Sequence, residues 1–196
     1  MGFAFQSLSS WTGPSVFDTL YETYNFYDGF SMCLRPQGGA LTLGVDHSKD
    51  PNFKWTEISQ EQWYNVEIND IKVGNQSIGL SWYDLNWNSV IVDSGTTLLI
   101  LPSDIFAAVQ KQFVALCSRG VNLPGVCNSP PKSQDLFQGA CIPLTAQQVQ
   151  LFPTFSINFP GIGDLPIQPI DYLVRLRPPP PHTRARNVQP SLSFFC

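Results

Sequence analysis

A single carboxylate stands between two apolar runs in residues 90–102, which read VIVDSGTTLLILP. An ionised side chain is costly to bury unless neighbouring groups satisfy it. The run before Asp93 is apolar at each position, which is typical of a strand buried on both faces. We therefore predict that Asp93 leaves a buried strand at the base of a partly open groove. Ser94, Gly95 and Thr96 are expected to bond around its carboxylate.

An isolated Asp-Ser-Gly sequence is more typical of a structural turn. Asp and Ser bond nearby backbone in such turns, and glycine adopts a positive φ. The wider string is a rarer arrangement: an apolar run, Asp-Ser-Gly, two threonines, a second apolar run, then Pro102 and a predicted helix. A structural turn and a functional loop are therefore both compatible with this sequence, and they differ in whether Asp93 takes part in a reaction.

Alternation of apolar and polar residues predicts strands through much of the chain. The predicted strands are residues 30–35, 40–44, 63–69, 71–73, 76–78, 90–92 and 154–159. Glycine-containing turns at residues 36–39 and 74–75 join two pairs of them into hairpins. The fold class predicted from this pattern is mainly β.

Helices are few in the predicted pattern. One starts at residue 103, where Pro102 and Asp104 favour a helix N-terminus. Its apolar residues form a single stripe, namely Ile105, Phe106, Val109, Phe113 and Leu116. A shorter helix begins near Pro14, with Val16, Phe17 and Leu20 predicted to face inward.

Charge is unevenly distributed, and this bears on the class of partner. All 15 acidic residues and seven of the 11 basic ones precede residue 175, which gives that part a net charge of −8. Nucleic-acid binding needs a basic face, so no nucleic-acid partner is predicted. No run of about 18 apolar residues occurs, so no membrane span is predicted either. Residues 175–196 are rich in proline and arginine and predict a disordered tail, with a proline-motif ligand as the alternative.

Two features suggest a secretory ancestry. Asn75-Gln76-Ser77 is a glycosylation sequence with a permitted middle residue, so Asn75 is a candidate acceptor. The five cysteines leave at least one thiol unpaired within the chain. Residues 1–11 lack a basic start and a long apolar run, so no signal peptide is predicted there.

Two other enzyme classes fit the sequence less well. A serine hydrolase built on Ser94 needs a histidine base, and only His47 and His182 occur. Ser94 also lacks the flanking glycine pattern of either familiar serine motif. No metal site is predicted, because Cys117 and Cys127 lack the tight spacing of zinc ligands. No cofactor is predicted.

Several segments, in a fixed order, carry a resemblance to pepsin-like aspartic proteases. The string around Asp93 resembles the active-site loop of that family. The first nine residues are similar to the end of its first lobe, and the other segments are similar to strands and a helix of its second, C-terminal lobe. These segments are residues 1–9, 30–34, 39–44, 55–58, 63–66, 70–74, 103–116, 151–159 and 165–173. The resemblance implies one lobe of the acid protease fold, with closed or sandwich-like sheets and a few short helices.

The resemblance also implies roles for residues of the loop. Asp93 matches the catalytic carboxylate of the second lobe. Ser94 matches a hydroxyl residue that bonds across to the first lobe, and Gly95 allows close approach of the backbone. Thr96 resembles the residue whose hydroxyl supports the carboxylate. Thr97 is expected to face the substrate cleft.

The mechanism of the family needs two such Asp residues, which share one proton. Only Asp93 in this sequence is followed by Ser or Thr and then Gly. The chain therefore resembles a second lobe truncated at both ends, whose partner is the missing first lobe. We expect residues 1–25 to be the end of the first lobe and the connection, 26–174 the C-terminal lobe, and 175–196 the tail.

Three functions follow from this resemblance. The first is an aspartic-type endopeptidase that hydrolyses peptide or protein substrates, here represented by half of its site and inactive alone. The second is a non-catalytic remnant that binds peptides or a partner. The third is a homodimer in which each copy supplies one Asp93. The family implies a secretory, lysosomal or vacuolar location, and the sequence itself gives none.

Each cysteine other than Cys196 has its own expected state. Cys117 and Cys127 enclose a short loop of Gly, Pro and Asn residues without a core, which favours a disulfide between them. Cys141 resembles a family cysteine whose partner lies in the replaced region, so it is expected to be unpaired. Cys33 lies on a predicted strand and is expected to be a buried thiol.

Overall fold

The computed structural model describes residues 3–35 and 37–174, so the predicted tail lies outside the described residues. In this part of the chain the strands are β1 Phe30–Arg35, β2 Gly38–Leu43, β3 Asn65–Val66, β4 Asp70–Val73, β5 Gln76–Ser77, β6 Val90–Ile91, β7 Phe155–Phe159 and β8 Gly163–Ile167. The helices are α1 Val16–Tyr24, α2 Trp82–Asn86, α3 Ser103–Ser118, α4 Ala146–Val149 and α5 Pro169–Tyr172. The predicted class, mainly β with a few short helices, is confirmed, and α3 is the one long helix of the described part.

A four-stranded antiparallel sheet in the order β5-β4-β7-β8 forms the centre of the structure. Ile71 and Val73 alternate with Lys72 along β4, and both apolar residues are 1% exposed. Alternate residues of a strand face opposite sides of the sheet, so one face of β4 joins the core. On the other face, the Lys72 ammonium lies 2.7 Å from the Asp164 carboxylate on β8.

Helix α3 covers the buried face of this sheet. Its Ile105, Val109 and Phe113 are buried, at helical spacing, as the apolar stripe predicts. The core that they join is made up of Ile68, Ile71, Val73, Ile78, Leu85, Ile105, Val109, Phe113, Leu123, Val126, Leu136, Phe137, Phe152, Phe155 and Leu173. This core holds in place the segment between β6 and α3, which contains Asp93.

A disulfide joins the last turn of α3 to the loop that follows it. Cys117 and Cys127 are bonded, with 5.5 Å between their Cα atoms. The prediction that these two cysteines pair is confirmed. Cys141 is also disulfide-bonded. The expectation of an unpaired Cys141 is therefore wrong, because it assumed that the sequence had lost the partner cysteine.

The first predicted hairpin forms, with β1 and β2 paired from Phe30↔Leu43 to Arg35↔Gly38. The ring of Phe30 packs against those of Phe3, Phe17 and Tyr64 at the base of the hairpin. Beyond that base the strands contact mainly each other. Cys33 is consequently exposed and free, and the prediction of a buried thiol is wrong.

Helix α1 has the N-terminal cap that its sequence favours. Ser15 and Asp18 form a reciprocal capping box, in which each side chain accepts a hydrogen bond from the other residue's backbone N–H. Phe17 is half-buried, as predicted, but Val16 is 57% exposed. The prediction for Val16 is wrong, because the described residues cover the side of α1 that carries Phe17 and leave the side of Val16 open to solvent.

The strand before Asp93 is shorter and more exposed than predicted. β6 pairs with β3 over two residues, Asn65↔Ile91 and Val66↔Val90. Ile91 and Val92 are 43% and 58% exposed. The predicted burial of both faces is therefore wrong for this strand, since no second layer of the described residues covers its outer side.

Candidate active site

Asp93 follows β6 directly and begins a tight turn. The backbone N–H of Val92 donates to the carbonyl oxygen of Tyr64 at 3.2 Å, which is the last cross-strand bond before the turn. The N–H of Thr96 then donates to the carbonyl oxygen of Asp93 at 3.3 Å. The backbone therefore closes on itself immediately after the strand, and Asp93 is the first residue of the closed turn.

Two donors hold the carboxylate of Asp93. The backbone N–H of Gly95 donates to Oδ1 at 2.8 Å, and the hydroxyl of Thr96 donates to Oδ2 at 2.5 Å. The third expected neighbour, Ser94, is exposed and makes no hydrogen bond to this carboxylate among the described contacts. The turn is thus a cradle of two donors, one for each carboxylate oxygen.

These donors favour the ionised form of the carboxylate. The hydroxyl of Thr96, and after it the N–H of Gly95, hold the pKa of Asp93 below its ordinary value, while slight desolvation acts in the opposite direction. Asp93 is exposed to solvent, so a water molecule can reach its free lone pairs. Chemically, an ionised and accessible carboxylate can accept a proton from water.

Gly95 lies close to the carboxylate, where a larger residue would be crowded. A Cβ atom at position 95 would lie 3.1 Å from Oδ1 of Asp93. That is closer than an ordinary van der Waals contact, so any side chain there would push against the oxygen that the Gly95 N–H binds. The Asp-Ser-Gly sequence therefore has a local steric reason in this turn.

Asp93 and Thr96 border a cavity of about 610 Å³. The other lining residues are mostly apolar, and they come from β4, α2, the segment around β6, the 98–102 segment, α3 and β7; among them are Ile68, Ile71, Leu85, Leu98, Ile100, Ile105, Ile157 and Phe159. The carboxylate is thus one of few charged groups at an apolar groove. Such a surface suits a largely apolar ligand with a few polar groups.

Thr97 lies on the other side of the loop. It borders a smaller cavity of about 70 Å³ with Leu99, Phe113 and Tyr172. Tyr172 is largely buried there, its hydroxyl donates to the carbonyl oxygen of Pro153 at 2.5 Å, and burial raises its pKa. Thr97 is not among the residues that line the groove beside Asp93, and the expectation that it faces a substrate cleft stays a prediction.

One residue that positions the loop has no signal in the sequence pattern. Tyr64 has a φ of 54°, which interrupts the alternating strand predicted at residues 63–69. Its hydroxyl donates to the carbonyl oxygen of Phe3, and its own carbonyl accepts from Val92. Burial, and after it the nearby Asp28 carboxylate, raise the pKa of the Tyr64 phenol. Simple alternation does not mark such a change of backbone conformation.

Two other structural features are absent from the described residues. Within residues 3–35 and 37–174, no three His, Cys, Asp or Glu side chains are grouped so that they could hold a metal ion. In the same part of the chain, no helix combines the length and the apolarity that crossing a membrane requires.

Comparison with known proteins identifies the family of the chain. A profile of the family Eukaryotic aspartyl protease matches residues 1–158. Aspartic proteinase 36 of Arabidopsis thaliana is 31% identical over 152 residues, which are 76% of this chain and 29% of the relative. Aspartic proteinase nepenthesin-1 of Nepenthes gracilis is 29% identical over 161 residues, 74% of this chain and 35% of the relative. Pepsin A of Suncus murinus is 28% identical over 142 residues, 64% of this chain and 36% of the relative.

The chain spans about a third of the length of these curated relatives. The family profile nevertheless covers most of its residues, including the Asp93 turn, α3 and nearly all of β7. The chain belongs to the eukaryotic aspartyl protease family, and its relatives are pepsin-like.

Proposed function

We propose that this chain supplies one half of the active site of an aspartic-type endopeptidase, with Asp93 as its catalytic carboxylate. The observation that carries the proposal is the two-donor cradle formed by Gly95 and Thr96 at the mouth of an apolar groove. A cradle of this kind keeps a carboxylate ionised and oriented while leaving it open to water.

Peptide hydrolysis by this route needs a second carboxylate opposite Asp93. Two carboxyl groups in contact do not both ionise readily, so they share one proton and titrate as a pair. Because Thr96 and Gly95 favour the charged form of Asp93, we assign the base role to Asp93 and the acid role to its partner. Asp93 takes a proton from a bound water, which attacks the peptide carbonyl carbon, while the partner protonates the carbonyl oxygen. A proton then passes to the leaving amine.

The second carboxylate comes from outside this sequence in our proposal. The 196 residues contain one Asp-Ser-Gly or Asp-Thr-Gly sequence, at Asp93. Residues 26–174 are proposed to form the second lobe of a two-lobed enzyme, and residues 1–25 the connection to the first. In such an assembly the exposed side chains of Ser94, Ile91 and Val92 face the other lobe. The isolated chain is expected to be inactive.

A homodimer is the second candidate, and one observation favours it. Asp93 is exposed and lies among exposed apolar residues, including Ile91, Val92 and Ile100. Two copies that meet through this apolar surface would bring two Asp93 carboxylates together. One copy would then supply the base and the other the acid, and each carboxylate would have its own two-donor cradle.

The test combines the chain alone with a chimera. The purified chain is incubated at acidic pH with a library of apolar-rich peptides, and so is a chimera in which the first lobe of a pepsin relative precedes it. The half-site proposal is supported if the chimera cleaves the peptides and the isolated chain does not. Asp93→Asn in the chimera should abolish that cleavage. A cooperatively melting chimera with an intact Cys117–Cys127 disulfide but no cleavage would contradict it. Cleavage by the chain alone that rises with dimer concentration and is lost in Asp93→Asn would favour the homodimer.

A further inference from the structure

We propose that Asn75 is an N-glycosylation site, which carries an oligosaccharide on its side-chain nitrogen Nδ2. The 196 residues contain one Asn-X-Ser/Thr sequence, Asn75-Gln76-Ser77. None of these three residues is part of the proposed peptidase site. Three structural observations support the proposal: the position of Asn75, the state of Ser77 and the state of the cysteines.

Asn75 lies at the tip of the β4–β5 hairpin. Val73 pairs with Gln76, so Gly74 and Asn75 alone make the turn. Gly74 supplies the positive φ, 61°, that such a turn requires. The side chain of Asn75 is exposed and takes part in no hydrogen bond among the described contacts. An oligosaccharide on Nδ2 therefore displaces no contact of the fold and projects into solvent at the edge of the central sheet.

Ser77, whose hydroxyl completes the acceptor sequence, is engaged in the folded chain. Its hydroxyl donates to Oδ1 of Asp70 at 2.7 Å and accepts from the N–H of Gly79 at 3.0 Å. Its carbonyl oxygen accepts from the Gln112 side chain on α3 at 3.0 Å. An enzyme that reads this hydroxyl competes with these bonds once the hairpin has closed, although Ser77 is exposed. Modification is therefore favoured before β4 and β5 fold.

The cysteines indicate the compartment in which this happens. Cys117 and Cys127 form a disulfide, and Cys141 is also disulfide-bonded. Disulfides form and persist in oxidising compartments such as the lumen of the endoplasmic reticulum. Attachment of N-linked oligosaccharide is a secretory modification. The disulfides therefore point to a compartment in which this modification takes place, and they do so independently of the Asn75-Gln76-Ser77 sequence.

The chemistry balances with a single co-reactant, an oligosaccharide linked through its first N-acetylglucosamine to a lipid diphosphate. The Nδ2 atom of Asn75 attacks the anomeric carbon of that sugar and loses one proton to a base. The bond between the anomeric carbon and the diphosphate oxygen breaks, and the lipid diphosphate leaves with the electron pair. No oxidant or reductant takes part.

The first test expresses the full chain behind a cleavable secretory leader in eukaryotic cells. We expect a product that shifts in mobility when it is treated with a peptide N-glycosidase, which converts the modified asparagine to aspartate. Tryptic mapping of residues 73–111 should then find aspartate at position 75. Asn75→Gln and Ser77→Ala should lose the shift, and Ser77→Thr should keep it. Cell-associated chain is analysed together with secreted chain, so a variant that folds poorly still gives a result.

The second test separates the order of events. Unmodified chain is offered to microsomal membranes that contain the lipid-linked oligosaccharide, once folded and once reduced and unfolded. We expect more modification of the unfolded sample than of the folded one. Asn75 recovered unmodified from every sample would overturn the proposal. Equal modification of the folded and unfolded chains would overturn the inferred role of Ser77.

Discussion

The hydroxyl of Thr96 donates to Oδ2 of Asp93 at 2.5 Å, while its neighbour Thr97 faces a different cavity. Two adjacent threonines thus have separate environments, and only one of them contacts the carboxylate. This pair provides a matched control for the electrostatics of the Asp93 turn.

The first prediction concerns the titration of Asp93. Thr96→Val removes the larger of the two causes that lower its pKa. We expect the pKa to rise toward the ordinary value, about 3.9. Nuclear magnetic resonance of the side-chain carboxyl carbon measures the midpoint. Thr97→Val should leave it in place, and an unchanged midpoint in Thr96→Val would mean that Gly95 alone suffices.

The sign of the linked stability change follows from the same shift. The folded chain holds the Asp93 proton less tightly than the unfolded chain, because the folded pKa is lowered. The resulting contribution to stability is complete above the unfolded pKa of about 3.9, and is lost as the pH falls through the lowered folded pKa. Thr96→Val should make the free energy of unfolding depend less on pH in this acidic range, which acid-induced unfolding measures.

The second prediction concerns the disulfide after α3. Cys117→Ser with Cys127→Ser opens a loop with a sequence separation of 10 residues. For a loop of that size we expect a loss of about 2–3 kcal/mol in the free energy of unfolding. Denaturant unfolding measures it. Cys33→Ser is the control, since that thiol is free and exposed, and an equal loss there would contradict the prediction.

The third prediction compares two valines of α3. Val109 is 2% exposed and Val114 is 46% exposed. Val109→Ala leaves a cavity against the central sheet and should cost about 2 kcal/mol. Val114→Ala should change stability by less than about 0.5 kcal/mol. Thermal unfolding followed by circular dichroism distinguishes them, and similar losses would argue against the packing of α3.

The fourth prediction separates backbone strain from a steric clash. Gly139 and Gly161 have the same φ, 75°. A Cβ at position 139 meets no atom within 4 Å, whereas one at position 161 would lie 2.3 Å from the carbonyl oxygen of Trp55. Gly139→Ala should cost about 1–2 kcal/mol for the left-handed backbone alone. Gly161→Ala should cost distinctly more. Urea unfolding of both variants tests this, and equal losses would mean that the Trp55 segment moves freely.

Local patterns were sufficient for the elements whose stability is largely local. Turn glycines and alternation predict the β1–β2 and β4–β5 hairpins, and the apolar stripe predicts α3. Apart from the pairing state of Cys141, the predictions that failed were those about burial. Cys33, Val16 and Ile91 all lie on elements of the predicted type, but whether a side is covered depends on distant parts of the chain. Periodicity carries no information about that.

The candidate site shows the same division. The two donors from Gly95 and Thr96 lie within three residues of Asp93, and a turn sequence is enough to predict them. The small cavity beside Thr97 is lined by Phe113 of α3 and by Tyr172, which lie far from Thr97 in the sequence. Tyr64 acts through a backbone conformation that a strand pattern does not express. Sequence therefore predicts the carboxylate and its cradle better than the walls around them.

The pairing of β4 with β7 has a consequence for folding during synthesis. Ile71 lies opposite Ile157, although 86 positions separate them in the chain. Pairings between such distant residues form slowly, because a long loop must close before the contacts stabilise it. A ribosome that has just released β4 must still synthesise α3, the disulfide loop and α4 before β7 emerges. Throughout that interval the hairpin at Asn75 lacks its central partner strand, and translation rate itself sets how long the nascent sheet stays open.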